Sequence, residues 1–592
     1  MSTILLCATP LAGHVGPLSA VGRVLADRGH EVIMLTGSRF ADRVGDAGLT
    51  VESLTGVADL DERDPDSFTP DRHRYRGLAL SRYQVERTFI APLPEQAAAV
   101  ASVVARRGVD VILCDGTFAG IIPLLSRPPG RRPPVIGVGT MPLAQSSPDV
   151  APFNSGLPPM SGPLGRLRNR LAHMAVRRVL FASTQSSARD LVRRAGGSLD
   201  HFVLDLSRAF DRFVQLGPAE FEYPRSDLAP NTVFAGPVFP GGAVPPPPWW
   251  SEMVDDDRPI VHVTQGTLDN DDFSQLIEPA VAGLAEMDVQ VVVTTGGADP
   301  DPVPRNDNTR VARFLDYDAL LPRTSVLITN GGYGGVLQAL RHGVPVVVAP
   351  GGEDKPEVAA RVAYFGVGAD LGTRRPAPAD LAATVRRILA DDGVAVRCRQ
   401  MAHAIAGYDS TQTIVTEVDR AVRRSTRSSR PAARSVSSGY PNVGAPADDN
   451  REREPDMSDA RAVIDAHVDA FNDRAPENEP WSADAELVSP GGVFTGREGV
   501  LGFLSVFQGA FSDGRLTVGS YVVDGDNASV EGTFDGVHDG VLQSPSGRVE
   551  PTGRPVSFRW SATYRIDGSE LMSEHLYFDQ LDFLGQLGVL PG

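Results

Sequence analysis

Short apolar runs alternate with helical patterns through about residue 424, and this alternation limits the possible folds more than any other feature. Between residues 1 and 225, the runs at 4–9, 31–37, 109–115 and 134–140 are typical of buried strands. Alternating strands and helices form parallel sheets with helices on both faces, because each crossover helix packs against the sheet. The sequence therefore predicts an α/β, doubly wound N-terminal domain over residues 1–225.

A second α/β block follows a proline-rich break at residues 241–248, where consecutive prolines favour an extended path. Its predicted strands are short, apolar and rich in β-branched residues, and they lie at 260–266, 289–296, 311–315, 325–329 and 344–349. A helical stretch then continues to about residue 424. We predict a second doubly wound domain over residues 226–424.

The C-terminal third of the chain has a different pattern. Residues 425–456 are rich in Ser, Arg, Pro, Gly and Asp, which predicts a disordered linker. An amphipathic helix follows, and apolar residues then alternate with polar ones along residues 556–566, up to a turn at Asp567-Gly568. Helices followed by antiparallel strands predict an α+β domain over residues 457–592.

The charge and the cysteine content argue against several classes of partner. The formal net charge of −18 argues against binding to nucleic acids or anionic membranes, because a protein that binds them needs clustered positive charge. No stretch approaches the roughly 18 apolar residues of a membrane span, and the N-terminus lacks the basic segment of a signal peptide. The three cysteines are far apart, so neither a disulfide framework nor a zinc site is indicated. We expect a cytoplasmic protein that binds small molecules.

A glycine-rich turn follows the predicted strand at 325–329. Its six residues are Asn330, Gly331, Gly332, Tyr333, Gly334 and Gly335, and a helical pattern comes next. Free amide groups at a helix N-terminus bind phosphate, and glycines allow a diphosphate to approach closely. Ligands of open α/β sheets bind at this edge, which favours a phosphate site over a tight turn without a ligand. It is not a Walker loop, because no Gly-Lys-Ser/Thr follows.

Five motifs follow one another along the first two blocks. They are Gly13-His14-Val15-Gly16-Pro17, Gly266-Thr267, Phe314-Leu315-Asp316-Tyr317, the glycine-rich turn and Glu353-Asp354-Lys355. In this order they resemble the motifs of the two-Rossmann-domain, GT-B type glycosyltransferases of natural-product biosynthesis. The resemblance covers about residues 1–424 and implies a nucleotide-sugar site in the second domain.

The resemblance also implies a role for each motif. The donor diphosphate would bind at Gly266, Thr267 and the glycine-rich turn, Phe314 would stack on the base, and Asp354 would bind sugar hydroxyls. His14 would be the catalytic base, oriented by Asp115. These roles agree with the residue types, since transfer to a hydroxyl requires a base of near-neutral pKa. The alternatives are a buried or helix-capping His14 and a strand-end cap at Asp115.

Two residues depart from the family pattern. Asn330 replaces the commoner histidine, and an amide still donates to a phosphate oxygen, although without charge. Lys355, the one lysine of the chain, replaces the commoner glutamine. Lys355 could restore the positive charge, contact the diphosphate or bind a sugar hydroxyl, or it could have no role there.

We predict no metal and no cofactor beyond the nucleotide sugar. Asp269-Asn270-Asp271 matches the Asp-x-Asp pattern by which another glycosyltransferase fold binds a divalent metal. Its place just after Gly266-Thr267 favours a helix-start role, because carboxylates there interact well with the helix dipole. The glycine-rich turn and helix ends would bind the diphosphate charge instead.

The third block contains Trp481, Pro490-Gly491-Gly492, Gly496-Arg497-Glu498, Gly553-Arg554-Pro555-Val556, Asp579 and Gln586-Leu587-Gly588. With these residues it resembles the SnoaL-like polyketide cyclases of the nuclear transport factor 2-like superfamily, which are cone-shaped domains with a ligand cavity. This resemblance implies that Asp579 acts as acid and base on a carbon acid. His575, Tyr577 and Asp579 alternate, so catalysis requires their common face to line the cavity. The alternative is a catalytically silent binding or dimerising domain, through which the chain could form a homodimer.

Together these features predict an inverting glycosyltransferase. It would move a sugar from a UDP- or dTDP-sugar to a hydroxyl of a hydrophobic small molecule. Two alternatives remain at this point. A nucleotide-sugar 2-epimerase shares the double-Rossmann plan, and a non-catalytic carrier would bind small molecules through the third block alone.

Overall fold

The computed structural model describes residues 1–160, 162–239, 244–267, 270, 272–428, 457–490, 492–544 and 547–589. They belong to two compact units, one ending at residue 435 and the other beginning at residue 436. The first unit contains two parallel sheets and the second a mixed sheet. The predicted fold classes are therefore confirmed.

The N-terminal domain is built on a parallel sheet of order β3-β2-β1-β4-β5-β6-β7. Its strands are β1 Thr3–Cys7, β2 Glu31–Thr36, β3 Thr50–Ser53, β4 Val111–Asp115, β5 Val135–Gly139, β6 Arg212–Gln215 and β7 Thr232–Phe234. Strands β1, β4 and β5 are almost fully buried, as expected for central strands with helices on both faces.

Helices cover both faces of this sheet. They are α1 Ala12–Asp27, α2 Ala41–Asp46, α3 Pro65–Phe68, α4 Gly77–Val85, α5 Leu93–Arg107, α6 Ile122–Leu125, α7 Gly162–Ala175 and α8 Ala182–Arg194. Leu18, Val21 and Leu25 of α1 recur at helical spacing and lie buried in the core. His14 therefore lies in the first turn of α1, just beyond the carboxyl end of β1.

The second domain has a parallel sheet of order β10-β9-β8-β11-β12-β13. Its strands are β8 Ile260–Thr264, β9 Gln290–Thr294, β10 Thr309–Ala312, β11 Thr324–Thr329, β12 Val346–Val348 and β13 Gly368–Asp370. The helices between Trp250 and Ser428 are α9 Trp250–Val254, α10 Ile277–Leu284, α11 Tyr317–Leu320, α12 Tyr333–Arg341, α13 Lys355–Tyr364, α14 Pro378–Leu389, α15 Asp392–Ala406 and α16 Ser410–Ser428.

The predicted domain limits need two corrections. Strand β7 belongs to the first sheet, so the N-terminal domain extends beyond residue 225. Helix α16 also returns to that domain, because Ile414, Val415 and Val418 pack with β1 and β4 in one core. It continues to Ser428, past the predicted linker start at residue 425, and the disordered linker predicted for the following residues lies outside the described part of the chain.

The C-terminal unit has a mixed sheet of order β15-β14-β21-β20-β17-β16. Its elements are α17 Met457–Asp473, β14 Trp481–Ser489, β15 Gly492–Thr495, α18 Gly496–Ala510, β16 Arg515–Asp524, β17 Asn527–Val537, β18 Leu542–Ser544, β19 Gly547–Val549, β20 Pro555–Asp567, β21 Glu570–Phe578 and α19 Gln580–Leu587. Helices α17 and α18 pack on one face of this sheet over an aromatic-rich core.

Within the described part of the chain, one helical stretch, Gly77–Arg107, is long and apolar enough to cross a membrane by length and composition alone. The sequence-based expectation did not identify this stretch. Its residues Ile90, Leu93, Val100 and Val103 lie in the core of the N-terminal domain. The expected absence of a membrane partner stays a prediction.

Candidate active site

The structure brings His14 and Asp115 together at the carboxyl edge of the first sheet. The Nδ1 atom of His14 lies 2.9 Å from Oδ2 of Asp115. It also lies 3.2 Å from Oγ1 of Thr140, which follows β5. Strands β1, β4 and β5 are neighbours, so the residues beyond their carboxyl ends meet at one place.

Asp115 is buried, and both oxygens of its carboxylate have hydrogen-bond partners. Its carboxylate accepts hydrogen bonds from the Thr117 hydroxyl at 2.7 Å and from the Thr9 amide at 3.3 Å. Burial works against its ionisation, but His14, Thr9 and Thr117 together lower the pKa of Asp115. The carboxylate is therefore charged at neutral pH and fixes Nδ1 of His14.

The electrostatics of His14 follow from this pairing. Burial opposes protonation of the ring, but the attraction and the hydrogen bond of Asp115 outweigh it. Asp354 and Glu353 of the second domain contribute in the same direction. The pKa of His14 is therefore raised above its ordinary value, and the ring loses its proton only at higher pH.

The glycine-rich turn joins β11 to α12. Gly331 has a φ of +96°, and a Cβ there would lie 2.8 Å from a methyl group of Val348. Only glycine fits this position without strain or a clash. Gly332 precedes the first residue of α12, so Gly334 and Gly335 lie in its first turn, where amide groups are free to bind an anion.

Asn330 has a different role from the predicted one. Its side-chain Nδ2 donates to the carbonyl oxygen of Gln265, so the amide links the ends of β8 and β11 instead of being free for a phosphate. Its Oδ1 atom is buried and has no hydrogen-bond partner within the described residues. An acceptor atom, rather than the predicted donor, is thus left for a ligand.

The neighbouring turn after β8 also requires glycine. Gly266 has a φ of +77°, and its amide donates to Oγ1 of Thr264 at 3.2 Å. Thr267 follows as an exposed residue, and both line the same cleft as Asn330. Asp269 and Asp271 of the Asp-x-Asp pattern lie outside the described residues.

Phe314 lies in the loop after β10 with 51% of its surface exposed. An aromatic ring this exposed beside a cleft has a free face on which a planar base can stack. A Cβ on Gly297 would lie 3.1 Å from the ring, so the glycine makes room for it. This position agrees with the predicted base contact.

The Glu353-Asp354-Lys355 turn opens α13. Lys355 is mostly buried, and its Nζ donates to Oε2 of Glu353 at 3.1 Å. Glu353 itself adopts a φ of +61°, which is strained for a residue with a side chain. Burial raises the pKa of Asp354, and the nearby Lys355 and His14 only partly oppose this.

These groups line one cleft of about 3140 Å³ between the two domains of the first unit. His14, Asp115 and Thr140 lie on the N-terminal side. The predicted donor residues on the opposite side are Gly266, Thr267, Phe314, Asn330, Gly332, Gly334, Gly335, Asp354 and Lys355. Gly331 does not line the cleft, because it is buried under the turn against Lys355. No group of three or more metal-ligating side chains occurs among the described residues.

Several residues of the site were not predicted from the sequence. Glu62 accepts from the amide of Ala12 at the start of α1 at 2.8 Å and pairs with Arg39. Across the cleft, Asn154 contacts Glu353 and Glu357. No local motif marks these residues, because their partners are distant in sequence.

Asp579 does not lie in a cavity. It is an exposed residue directly before α19, and its carboxylate accepts a hydrogen bond from the Asp582 amide at 3.0 Å, as a helix N-cap does. His575 and Tyr577 on the same face of β21 are exposed too. The condition for catalysis at Asp579, that this face of the strand lines a cavity, is therefore not met, because these three residues are exposed to solvent.

Polar groups do lie inside the C-terminal unit. His467 Nδ1 lies 2.6 Å from Oε2 of Glu479, and the Tyr564 hydroxyl donates to Glu574 at 2.9 Å. His467 packs edge-on against the ring of Trp481, 5.4 Å between centroids. Burial opposes protonation, but Glu479, with a smaller contribution from Glu574, raises the pKa of His467.

Two parallel-sheet domains that enclose a cleft with a histidine–aspartate pair and a glycine-rich anion turn define a GT-B type glycosyltransferase. The family models agree with this class. Residues 278–420 match the erythromycin biosynthesis protein CIII-like C-terminal domain, and residues 461–587 match the SnoaL-like polyketide cyclase family.

Known proteins match about 70% of the chain. The 4'-demethylrebeccamycin synthase of Lentzea aerocolonigenes is 37% identical over 428 residues, covering 70% of this chain and 98% of that protein. UDP-glycosyltransferase 2 of Phaeomoniella chlamydospora is 34% identical, with coverage of 70% and 95%. The chain belongs to the natural-product glycosyltransferase family, and it carries a SnoaL-like domain at its C-terminal end.

Solved structures share the fold at lower identity. The glycosyltransferase of kitacinnamycin has a TM-score of 0.54 at 19% identity, covering 71% of this chain and 98% of that one. The calicheamicin glycosyltransferase CalG4 has a TM-score of 0.52 at 22% identity, with coverage of 72% and 99%. The comparisons give no support to the epimerase alternative.

Proposed function

We propose that His14 is the general base of an inverting transfer, from a UDP- or dTDP-sugar to a hydroxyl of a hydrophobic natural product. The observation that carries this proposal is the His14–Asp115 pair, 2.9 Å apart, which faces the glycine-rich turn across one cleft. Asp115 holds Nδ1, so Nε2 is the ring nitrogen left for the acceptor. Relatives whose names state UDP-dependent glycosyl transfer support the donor class.

The reaction follows from these positions. Neutral His14 takes the proton of the acceptor hydroxyl. At the same time the hydroxyl oxygen attacks the anomeric carbon of the donor sugar from the face opposite the diphosphate. The bond from that carbon to the diphosphate oxygen breaks, and the electron pair leaves with the diphosphate. Amides of the glycine-rich turn and of the first turn of α12 stabilise the departing charge. Asp115 stabilises the imidazolium that remains.

The donor contacts follow the same geometry. Phe314 stacks on the base, the Gly266 turn and residues Gly332–Gly335 bind the diphosphate, and Asp354 binds sugar hydroxyls. Asn330 orders the two turns through Gln265 and presents Oδ1 as an acceptor. We propose that no metal is required, since helix ends and backbone amides already neutralise the diphosphate. Transfer should therefore persist in EDTA.

The SnoaL-like unit is proposed as a binding or dimerising module of a cytoplasmic enzyme. The exposed, helix-capping position of Asp579 supports this over a carbon-acid reaction at that residue. A tethered binding module raises the effective concentration of an acceptor near the cleft.

The proposed role of His14 as general base is tested in two steps, a screen for donor and acceptor followed by the His14→Ala variant. Purified full-length protein is incubated with UDP- and dTDP-sugars and a panel of hydroxylated aromatic and polyketide aglycones. The products are identified by their mass in mass spectrometry. NMR of the product should show an inverted anomeric centre. With the best pair, His14→Ala should lower kcat by about 10² to 10⁴. A wild-type rate in His14→Ala would exclude it as the base.

A further inference from the structure

A chain of buried charges crosses from the N-terminal domain to helix α13, which begins immediately after Asp354. Arg361 of α13 is fully buried. Its Nη1 lies 2.6 Å from Oε1 of Glu357, and its Nη2 lies 2.8 Å from Oε2 of Glu222. Glu222 lies between β6 and β7, so the second of these contacts joins the two domains.

Glu222 continues the chain toward His14. Its Oε1 accepts a hydrogen bond from the backbone N–H of Leu143 at 2.8 Å. The Nη2 atom of Arg225 donates to the carbonyl oxygen of Leu143, also at 2.8 Å. Leu143 follows Thr140 by three residues in the loop after β5, and Thr140 contacts Nδ1 of His14 at 3.2 Å. The loop that contacts the proposed base is thus fixed to the same carboxylate that binds Arg361.

A second link lies at the other end of the α13 turn. The backbone N–H of Asn154, in the N-terminal domain, donates a hydrogen bond to Oε2 of Glu357 at 2.9 Å. The Asn154 side chain donates to the carbonyl oxygen of Glu353. Asn154 has a φ of +63°, a conformation that asparagine tolerates better than most residues. The residue before Asp354 and the residue three after it are therefore both held from across the cleft.

The cost of burial argues for a geometric role. Taking ionised groups out of water costs free energy that a salt bridge often does not recover, and an apolar replacement is frequently as stable. Both oxygens of Glu222 and both of Glu357 have partners, and Arg361 also lies 4.2 Å from the ring centre of Tyr223. Such a network favours one arrangement of the two domains over others.

We propose that Asn154, Glu222, Glu357 and Arg361 are positioning residues that form an interdomain clasp and hold Asp354 opposite His14. The proposal rests on the proposed function, in which His14 is the base and Asp354 binds the donor sugar. The clasp acts on the distance between sugar and base rather than on nucleotide binding, because Phe314 and the glycine turns all belong to the second domain.

Two variants of the full-length enzyme test the clasp. Arg361→Lys keeps the positive charge but loses the guanidinium group, whose two terminal nitrogens contact two carboxylates at once. Asn154→Gly keeps the backbone conformation and removes only the contact of an exposed side chain, so folding is preserved. Arg132→Lys is the control, because the mostly buried side chain of Arg132 makes two contacts with the partly buried Asp211, at 2.6 and 2.8 Å, inside the N-terminal domain.

The readouts are kcat at saturating donor and acceptor, the Kd of UDP or dTDP by calorimetry, and the Tm. We expect kcat to fall about tenfold in Arg361→Lys and several-fold in Asn154→Gly, since small displacements of reacting groups are costly. The nucleotide Kd should change less than about twofold, because the residues proposed to bind the nucleotide all belong to the second domain. Arg132→Lys should lower only the Tm.

The outcomes separate the clasp from the base. Wild-type kcat in both clasp variants, with His14→Ala inactive, would overturn the clasp and leave the base in place. A nucleotide Kd weakened as much as kcat would also overturn it, since the donor site itself would then be disturbed. Reduced kcat in the clasp variants with His14→Ala fully active would overturn the base assignment instead.

Discussion

The two units of the chain each contain a histidine held by a carboxylate, and the pairs are almost alike. His14 lies 2.9 Å from Asp115, and His467 lies 2.6 Å from Glu479. The carboxylate raises the pKa of the histidine in both, against the effect of burial. They differ in their surroundings, because His14 lines an open cleft while His467 packs against Trp481 and Tyr564 in a core. A histidine–carboxylate pair becomes a candidate base only where a substrate can reach its second nitrogen.

Position within the fold explains the difference. Asp115 ends a central parallel strand, and the carboxyl edges of parallel strands open onto the ligand site. His467 lies on the inner face of α17, and Glu479 lies just before β14, so both are directed into the packed interior. The first pair is therefore open to a cleft, whereas the second is enclosed by packed side chains.

Replacing the buried histidine should have the larger effect on stability. In His467→Ala, Glu479 becomes a buried charge without its partner, which typically costs about 3–5 kcal/mol. We expect the free energy of unfolding of the C-terminal unit to fall by that amount in urea titrations. The rate of glycosyl transfer should be unchanged, and His14→Ala should show the opposite pattern. A His467→Ala protein that stays folded yet loses transfer activity would show that both pairs serve the reaction.

Much of the cleft was predictable because its signals are local. The strands at 4–9, 109–115 and 325–329 have the apolar runs of buried parallel strands, and the glycine-rich turn must follow such a strand. The pairing of His14 with Asp115 was implied by the family resemblance, and the structure brings the two together because they lie at the carboxyl ends of strands β1 and β4 of one sheet.

The remainder depends on long-range packing. Glu222 and Arg361 are 139 residues apart, and neither occurs in a motif that indicates a partner. Alternation along a strand placed Asp579 on one face with His575 and Tyr577, but β21 ends at Phe578 and the residues after Asp579 form a helix. Which face of that strand is buried depends on how the sheet packs against α17 and α18, and alternation does not specify this.

A smaller effect is expected at Lys355, where the structure alters the sequence-based expectation. Its Nζ pairs with Glu353, whose side chain is 64% exposed, and partly exposed ion pairs contribute about 0.2–1 kcal/mol. Lys355→Gln, which can still donate to Glu353, should therefore raise the donor KM by at most about fivefold with kcat retained. A change of more than tenfold for one donor sugar only would instead assign Lys355 to sugar recognition.

The pH dependence of kcat/KM, compared between wild type and Asp115→Asn, tests the central claim most directly. A base must be neutral, and the pKa of His14 is raised, so wild-type activity should fall on the acid side below a pKa above the usual 6.5. Asp115→Asn removes the charge that raises this pKa while burial remains, so the acid limb should move to lower pH and the maximal rate should fall. An acid limb at the same pH in both proteins would contradict the account, because the titrating group would then not be the histidine that Asp115 holds.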